Sequence, residues 1–209
     1  MPDSNLVRIP SAIRDELFCA LLFLPFAHSN IRWPVSSRIS ATDSTILRGA
    51  GVYSYVPGGV ARALYRLSEH RGEYVRLDWD SVPGAGELFG GGSGRFGKAP
   101  RPQEGVESLV RSLPWRVSRS FAFKQSSHVN LQETRAIRAE LKHLANSGAC
   151  PCRAVNLSDS RVGVGAIAKG RSSSHKLNGV LRSFLPYAIC GRISLHNIWI
   201  STHCKCSTS

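Results

Sequence analysis

One amphipathic helix with a carboxylate on its apolar face constrains this chain more than any other feature. Residues 128–144, HVNLQETRAIRAELKHL, have apolar side chains at helical spacing. At about 100° per residue, one stripe contains Glu133, Ala136, Ile137, Leu141 and Leu144. Because this stripe must dock on a core, the carboxylate at its start has to be paired, protonated or metal-bound. Glu140 lies on nearly the same stripe and would need His143 or a distant cation beside it.

Two predicted strands also end in a carboxylate. Residues 38–44, RISATDS, alternate apolar and polar side chains, and Asp43 closes the apolar face. Residues 154–159, AVNLSD, end in the same way at Asp159. Since each of the three acids terminates a buried face, they could converge at one sheet edge, where Mg²⁺ suits an all-oxygen site. The alternative for Asp43 is that it opens an ordinary turn with Ser44.

Five strands with flanking helices are predicted in all, which defines an α/β fold with one core. The other strand patterns span residues 51–56, 115–123 and 192–200. Helix patterns span residues 11–24, 60–70, 106–113 and 160–185, and the last of these is broken at Gly170. Ser11 is the predicted cap of the first helix, and a turn through Arg48 and Gly49 joins the first two strands. Residues 73–79 also alternate, but residues 82–105 are rich in glycine, proline and charge and are predicted to form a long inserted loop.

The charge of the chain indicates a polyanionic partner. There are 27 lysine and arginine residues against 14 aspartate and glutamate residues, a formal net charge of +13. This balance favours nucleic acid, because phosphate contacts release condensed counterions, although a merely basic protein has the same composition. Lys169, Arg171, Ser172 and Ser173 precede a predicted helix, where cations, hydroxyls and backbone N–H groups could face a phosphate. An ordinary helix cap is the other interpretation of these residues.

The apolar run at residues 17–27 is too short to span a membrane, and Pro25 interrupts it. It is also a poor secretory signal, because Asp15 and Glu16 offset the nearby basic residues. We therefore predict no membrane partner and an intracellular location, with the choice between cytoplasm and nucleus left open.

The cysteines do not predict a strong metal site. Reduced, structural or incidental thiols are the expectation for a chain without a secretory signal. A zinc site is conceivable, but C-x-C is not the usual spacing of zinc ribbons. The six cysteines are Cys19, Cys190 and the two C-x-C pairs Cys150/Cys152 and Cys204/Cys206.

A phosphate-loop motif is nearly matched at residues 92–99, GSGRFGKA, where Ala99 replaces the hydroxyl residue. The chemistry of that motif needs an apolar strand before the glycines, a helix after the lysine and a hydroxyl for the metal. None of the three is predicted here, so nucleotide hydrolysis is not expected at this loop.

Four stretches of the chain carry a family resemblance. They are ATDSTILRGAGV at 41–52, HVNLQETRAIRAEL at 128–141, VNLSDSRVGVGAIAKGRSSS at 155–174 and IWISTH at 198–203. Together they resemble the ribonuclease H domain that accompanies reverse transcriptases, above all that of DIRS-like, tyrosine-recombinase retroelements. The resemblance implies a ribonuclease H-like fold with a mixed five-stranded sheet over residues 32–203. It also implies that residues 1–31 are the trailing helical edge of a polymerase and residues 204–209 a short tail.

The same resemblance implies a function. Asp43, Glu133 and Asp159 would hold two Mg²⁺ ions, or Mn²⁺ in their place, and His203 would be a mobile histidine near the product side. The expected activity is endonucleolytic hydrolysis of the RNA strand in an RNA/DNA hybrid, with a reverse transcriptase domain as partner in the same polyprotein.

The chain departs from this family in one respect. Such domains supply a fourth carboxylate shortly after the histidine, on or before a last helix, whereas residues 204–209, CKCSTS, contain no acid and that helix is missing. The alternative is therefore a truncated, catalytically inert remnant that binds nucleic acid without cleavage. A transposase or integrase nuclease is disfavoured, because such enzymes usually order their acids Asp, Asp, Glu, whereas the order here is Asp, Glu, Asp.

Overall fold

The computed structural model describes residues 9–26, 30, 32–70, 104–148 and 151–201. By its internal contacts the chain divides into two units, Met1–Arg32 and Trp33–Ser209. The first unit contains the helix α1 (Ser11–Phe23), followed by a short 3-10 helix (Leu24–Phe26). Pro10 occupies the N-cap position of α1 without a side-chain hydrogen bond, so the predicted cap at Ser11 is wrong. Within the described residues, no helix is both long and apolar enough to cross a membrane.

The second unit is built on a mixed five-stranded sheet. Its strands are β1 (Val35–Ser44), β2 (Arg48–Tyr55), β3 (Arg116–Ala122), β4 (Cys152–Ser158) and β5 (Ile193–Trp199). The spatial order is β3-β2-β1-β4-β5. The pairs β1/β2 and β2/β3 are antiparallel, whereas β1/β4 and β4/β5 are parallel. The predicted α/β architecture with a mixed five-stranded sheet is therefore confirmed, although Arg48 and Gly49 belong to β2 and not to the turn.

Helices cover both faces of this sheet. They are α2 (Gly58–Leu67), α3 (Glu104–Ser112), α4 (Val129–Asn146), α5 (Arg161–Lys169), α6 (His175–Arg182) and α7 (Leu185–Gly191). One core cluster joins α2 and α3 to the sheet and contains Ile39, Ala41, Ala61, Leu64, Val106, Val110, Val155 and Leu157. A second cluster joins α4 to the opposite face and contains Ile137, Leu141, Leu144, Ala154, Phe184 and Ile193. Ala154 and Val155 belong to different clusters because successive strand residues point to opposite faces.

Polar side chains lie inside the sheet as well. The alternation expected for β1 would expose Ser40 and Thr42, but both are buried, because helices cover both faces of the central strands. The fully buried Asn156 of β4 satisfies them: its Oδ1 accepts from Ser40 Oγ at 3.0 Å, and its Nδ2 donates to Thr42 Oγ1 at 3.2 Å. The same Nδ2 donates to Asn197 Oδ1 of β5 at 3.0 Å. One amide therefore links three neighbouring strands.

Helix α4 docks as its sequence predicts. It begins after His128, whose Nδ1 accepts a hydrogen bond from the backbone N–H of Asn130, and every residue of the predicted stripe is buried. Glu140, which is completely buried, has a distant cation beside it: Arg38 Nη1 lies 2.8 Å from its Oε1. Ser118 Oγ donates to the other oxygen at 3.0 Å. Of the two kinds of partner expected for Glu140, the structure therefore shows the distant cation, Arg38, in a salt bridge.

Several predicted segments fall outside the described residues. These include the alternating stretch at 73–79 and the inserted loop at 82–105, except for Glu104 and Gly105, which begin α3. Residues 160–185 form two helices, α5 and α6, that are separated at Gly170, where a left-handed backbone (φ 69°) ends α5. A short further helix, α7, follows, which the sequence patterns did not predict.

Candidate metal centre

The three predicted acids meet at one edge of the sheet. In the parallel register of β1 and β4, Thr42 pairs with Ser158, so the next residues along the chain are Asp43 and Asp159. Glu133 comes from the second turn of α4. One ligand atom from each of these three side chains lies within 4.8 Å of the others, and no further group of three His, Cys, Asp or Glu does so among the described residues. The structure therefore brings together residues that are up to 116 positions apart in the chain.

A backbone N–H group organises two of these carboxylates. Ser44, the last residue of β1, donates its N–H to Asp43 Oδ1 at 2.8 Å and to Glu133 Oε1 at 3.2 Å. This shared donor fixes the end of β1 relative to α4. It also gives Glu133 Oε1 a hydrogen bond, whereas Oε2 receives none from this N–H group.

The electrostatics of Glu133 indicate a site that lacks positive charge. The residue is 5% exposed, and its Oε2 atom is buried without a hydrogen-bond partner among the described residues. Burial, followed by the negative charges of Asp159 and Asp43, raises the pKa of Glu133 from an ordinary 4.5 to about 7, although hydrogen bonds from Ser44 act against this. A buried carboxylate beside two others requires a proton or a cation, so this all-oxygen group could hold a metal ion.

Gln132 supports the site, and the sequence patterns did not identify it. Its side chain is completely buried, and its Nε2 donates to the backbone carbonyls of Ile46 at 2.9 Å and of Gln125 at 3.0 Å. Its Oε1 accepts from Arg135 Nη1 at 2.9 Å. The residue next to Glu133 thus ties α4 to the β1–β2 turn and to the segment before α4. It lies off the predicted stripe, so helical periodicity could not reveal it.

Asp159 is held by groups that the sequence also did not reveal. The indole Nε1 of Trp199 donates to the backbone carbonyl of Asp159 at 3.0 Å. The guanidinium of Arg161 lies over the Trp199 ring, 3.9 Å from its centroid. Ser160 caps α5, since its Oγ accepts from the backbone N–H of Gly163 at 3.1 Å. These contacts hold the short connection between β4 and α5.

The predicted phosphate-binding residues lie at the other end of α5. Lys169 is the last residue of this helix, which over nine residues places it roughly 12 Å from Arg161 along the axis. Ser172 is engaged in the turn, because its N–H donates to Asn178 Oδ1 at 2.7 Å and its carbonyl accepts from Asn178 Nδ2 at 2.8 Å. Lys169, Arg171, Ser172 and Ser173 therefore belong to the α5–α6 connection, and their contact with phosphate stays a prediction.

Other predicted residues are not part of this centre. His203 lies outside the described residues, as do Cys150 and the second C-x-C pair, so no metal role for them is tested. Cys152 is buried in the core cluster under α4, whereas Cys19 and Cys190 are exposed.

Neither a scan of protein-family models nor a search of curated proteins finds a match to this chain.

Proposed function

We propose that this protein is a metal-dependent endonuclease with a ribonuclease H-like fold, which cleaves the RNA strand of RNA/DNA hybrids for a reverse-transcribing element. The observation on which this proposal rests is the convergence of Asp43, Glu133 and Asp159, with ligand atoms within 4.8 Å of one another. The mixed five-stranded sheet and its flanking helices are consistent with that fold. The order Asp, Glu, Asp along the chain is the order that the ribonuclease H resemblance implies.

The three carboxylates fit Mg²⁺, because hard oxygen donors, incomplete protein coordination and a phosphate substrate suit this ion; two ions are the number that the resemblance implies, and Mn²⁺ is the expected substitute. When bound, such ions lower the pKa of a coordinated water and neutralise charge on the phosphate. A cation would also stabilise the buried Oε2 of Glu133, which has no other partner among the described residues.

The fold itself sets the positions of the three carboxylates. Asp43 lies in β1, Asp159 directly follows the neighbouring parallel strand β4, and Glu133 lies in α4. The Ser44 N–H holds two of these carboxylates in place before any ligand arrives. Because the acids are preorganised and partly buried, little reorganisation would be required when a phosphate enters.

The positive charge of the chain would hold the substrate. A net charge of +13 favours contacts to the phosphate backbone that do not depend on sequence. Lys169, Arg171, Ser172 and Ser173 are our candidates for such contacts at the far end of α5. Discrimination of RNA from DNA would depend on the 2′-hydroxyl in the shallow minor groove.

A second candidate is an inert domain that binds hybrids without cutting them. One observation favours it: the acid group contains three carboxylates among the described residues, and no fourth joins them. With three acids, a second metal ion would have few protein ligands. This candidate predicts salt-sensitive hybrid binding and no cleavage in Mg²⁺ or Mn²⁺.

A cleavage assay separates these functions. A labelled RNA/DNA hybrid with Mg²⁺ is incubated with wild type, with Asp43→Asn, and with Asp15→Asn as a matched control at an exposed position in α1. We expect Asp43→Asn to lower the cleavage rate at least about 100-fold and the control to cleave like wild type. Equal cleavage by wild type and Asp43→Asn would contradict the metal assignment. If none of the proteins cuts but all bind the hybrid, the inert domain is the correct function.

A further inference from the structure

We propose that Trp199 is a positioning residue for the carboxylate of Asp159 and that it acts through the main chain. This inference rests on the proposed function in one respect, since it takes Asp159 as a metal ligand. Trp199 is the last residue of β5 and pairs in register with Ser158, the last residue of β4. Its indole Nε1–H donates to the backbone carbonyl of Asp159, the next residue, at 3.0 Å.

The main chain of Asp159 lies outside the strands and helices, unlike that of the other two acids. Asp43 lies within β1 and is paired with Ala50 of β2, and Glu133 lies within α4. Asp159 follows β4 and precedes α5, so neither a strand nor a helix holds its main chain. The last sheet-like bond in this region runs from the N–H of Ile200 to the carbonyl of Ser158 at 3.0 Å. The carbonyl of Asp159 takes its hydrogen bond from a side chain instead.

Arg161 strengthens this link from the other side. It is the first residue of α5, and its guanidinium lies 3.9 Å from the centroid of the Trp199 ring. A cation over an indole ring is attracted by the electrons of the ring and makes the N–H a better donor. The ring thus joins the end of β5, the connection that contains Asp159, and the start of α5.

Trp115 makes the same kind of bond away from the acids and so provides a control. Its Nε1–H donates to the backbone carbonyl of Val110 at 2.8 Å, and its ring packs on the core cluster of α2 and α3. Both tryptophans are half-buried. Replacing either with phenylalanine removes one indole N–H and keeps an aromatic ring. Only the change at Trp199 releases a carbonyl that belongs to a member of the acid group.

The test uses the metal alone as the probe. Binding of Mn²⁺ to wild type, Trp199→Phe, Trp115→Phe and Arg161→Met is measured by isothermal titration calorimetry, and thermal denaturation of each metal-free protein is recorded. We expect Trp199→Phe to bind Mn²⁺ about tenfold more weakly than wild type, a loss typical of groups that orient a ligand. Trp115→Phe should bind Mn²⁺ within about twofold of wild type. Its melting temperature should fall by about as much as that of Trp199→Phe, because each variant loses one indole hydrogen bond.

Arg161→Met keeps Trp199 in place and protects the test against misfolding of Trp199→Phe. Measured in about 1 M NaCl, which screens the loss of a positive charge near the acids, it should weaken Mn²⁺ binding by roughly two- to threefold, because the cation over the ring is lost. Wild-type Mn²⁺ affinity in a folded Trp199→Phe overturns the inference, as does wild-type affinity in Arg161→Met if Trp199→Phe does not fold. If wild type binds Mn²⁺ but leaves the hybrid intact, the nuclease function fails and the titration still decides the role of Trp199. A wild type that binds no Mn²⁺ overturns both.

Discussion

Two buried glutamates on the same helix have opposite surroundings. Glu133 and Glu140 are seven residues apart on α4 and are 5% and 0% exposed. Glu140 faces Arg38 at 2.8 Å and accepts a hydrogen bond from Ser118, so its charge is compensated within the protein. Glu133 faces Asp43 and Asp159, which together with burial raise its pKa to about 7. Helix position and burial are nearly equal, and only the neighbours differ.

This difference separates a structural carboxylate from a candidate metal ligand. The charge of Glu140 is paired with that of Arg38 within the fold, and the guanidinium also lies 4.6 Å from the ring centroid of Tyr53. Arg38 Nη2 is nevertheless buried without a hydrogen-bond partner among the described residues. The group around Glu133 is complete only when a proton or a cation is added. A buried acid therefore marks a candidate site when its nearest charged neighbours have the same sign as its own.

The largest expected effect comes from breaking the compensated pair. Glu140→Gln leaves the charge of Arg38 without its partner in a position where the side chain is only 14% exposed. We expect a loss of about 3–5 kcal/mol in the free energy of unfolding, as for other broken buried pairs. Urea denaturation monitored by circular dichroism measures this. The double variant Arg38→Met with Glu140→Leu should recover most of the loss, and its failure to do so would show that charge compensation is not the cause.

The same substitution at Glu133 should have the opposite sign. Glu133→Gln removes a buried charge that two nearby carboxylates repel, so we expect the metal-free protein to gain roughly 1–3 kcal/mol at pH 8. This range lies below the free energy that corresponds to the full pKa change, because solvent screens part of the repulsion between the carboxylates. Urea denaturation in the presence of a chelator is the measurement. A loss of stability like that of Glu140→Gln would contradict the distinction between the two glutamates.

A smaller effect links pH and divalent ions. Since the folded-state pKa of Glu133, about 7, lies above its ordinary value of 4.5, the carboxyl costs nothing below pH 4.5. Its destabilising effect grows as pH rises through the interval from 4.5 to 7 and is complete above it. Mn²⁺ at about ten times its dissociation constant should restore roughly 1.4 kcal/mol at pH 8 and clearly less at pH 5.5. Thermal denaturation with and without Mn²⁺ at both pH values measures this, and equal stabilisation at both would contradict it.

Glu133→Gln is the matched control for that experiment, because His196 titrates in the same interval with the opposite sign. Burial, then His70 and Arg153, lowers the pKa of His196 from 6.5 to about 4. The stability that neutral His196 contributes is therefore present above pH 6.5 and is lost as pH falls from 6.5 toward 4. Wild type and Glu133→Gln share this contribution. The difference between their pH profiles isolates the part that belongs to Glu133.

The sequence predicts the acid group well because each member lies at one end of an apolar pattern. Asp43 and Asp159 terminate strand faces, and Glu133 begins a helical stripe, so the positions follow from periodicities of two and 3.6 residues. It also predicts that Glu140 needs a cation. Arg38, however, is 102 residues away, and no local pattern identifies which distant cation is brought there by the folding of the sheet.

The features that the sequence patterns predicted wrongly or did not identify have local causes. A register shift between Gly51 and Val52 places an extra residue, Ser118, in β3, so the residues before and after it no longer share one face. Val117 lies on this edge strand and is 58% exposed, although its pattern put it on one apolar face with Trp115. The supporting bonds of Gln132 and Trp199 end on backbone carbonyls. Every residue has such a carbonyl, so the sequence contains no sign of which one will be chosen.

The amide of Asn156 affects the acid group although it touches none of the carboxylates. Sliding β4 by one residue along β1 would move Asp159 by about 3.3 Å and turn every side chain of β4 to the opposite face. Such a slip would break the bonds of Asn156 to Ser40, Thr42 and Asn197 at the same time. The neutral side chain of Asn156, about 10 Å from Asp159 along β4, thus fixes the strand register that places Asp43 beside Asp159.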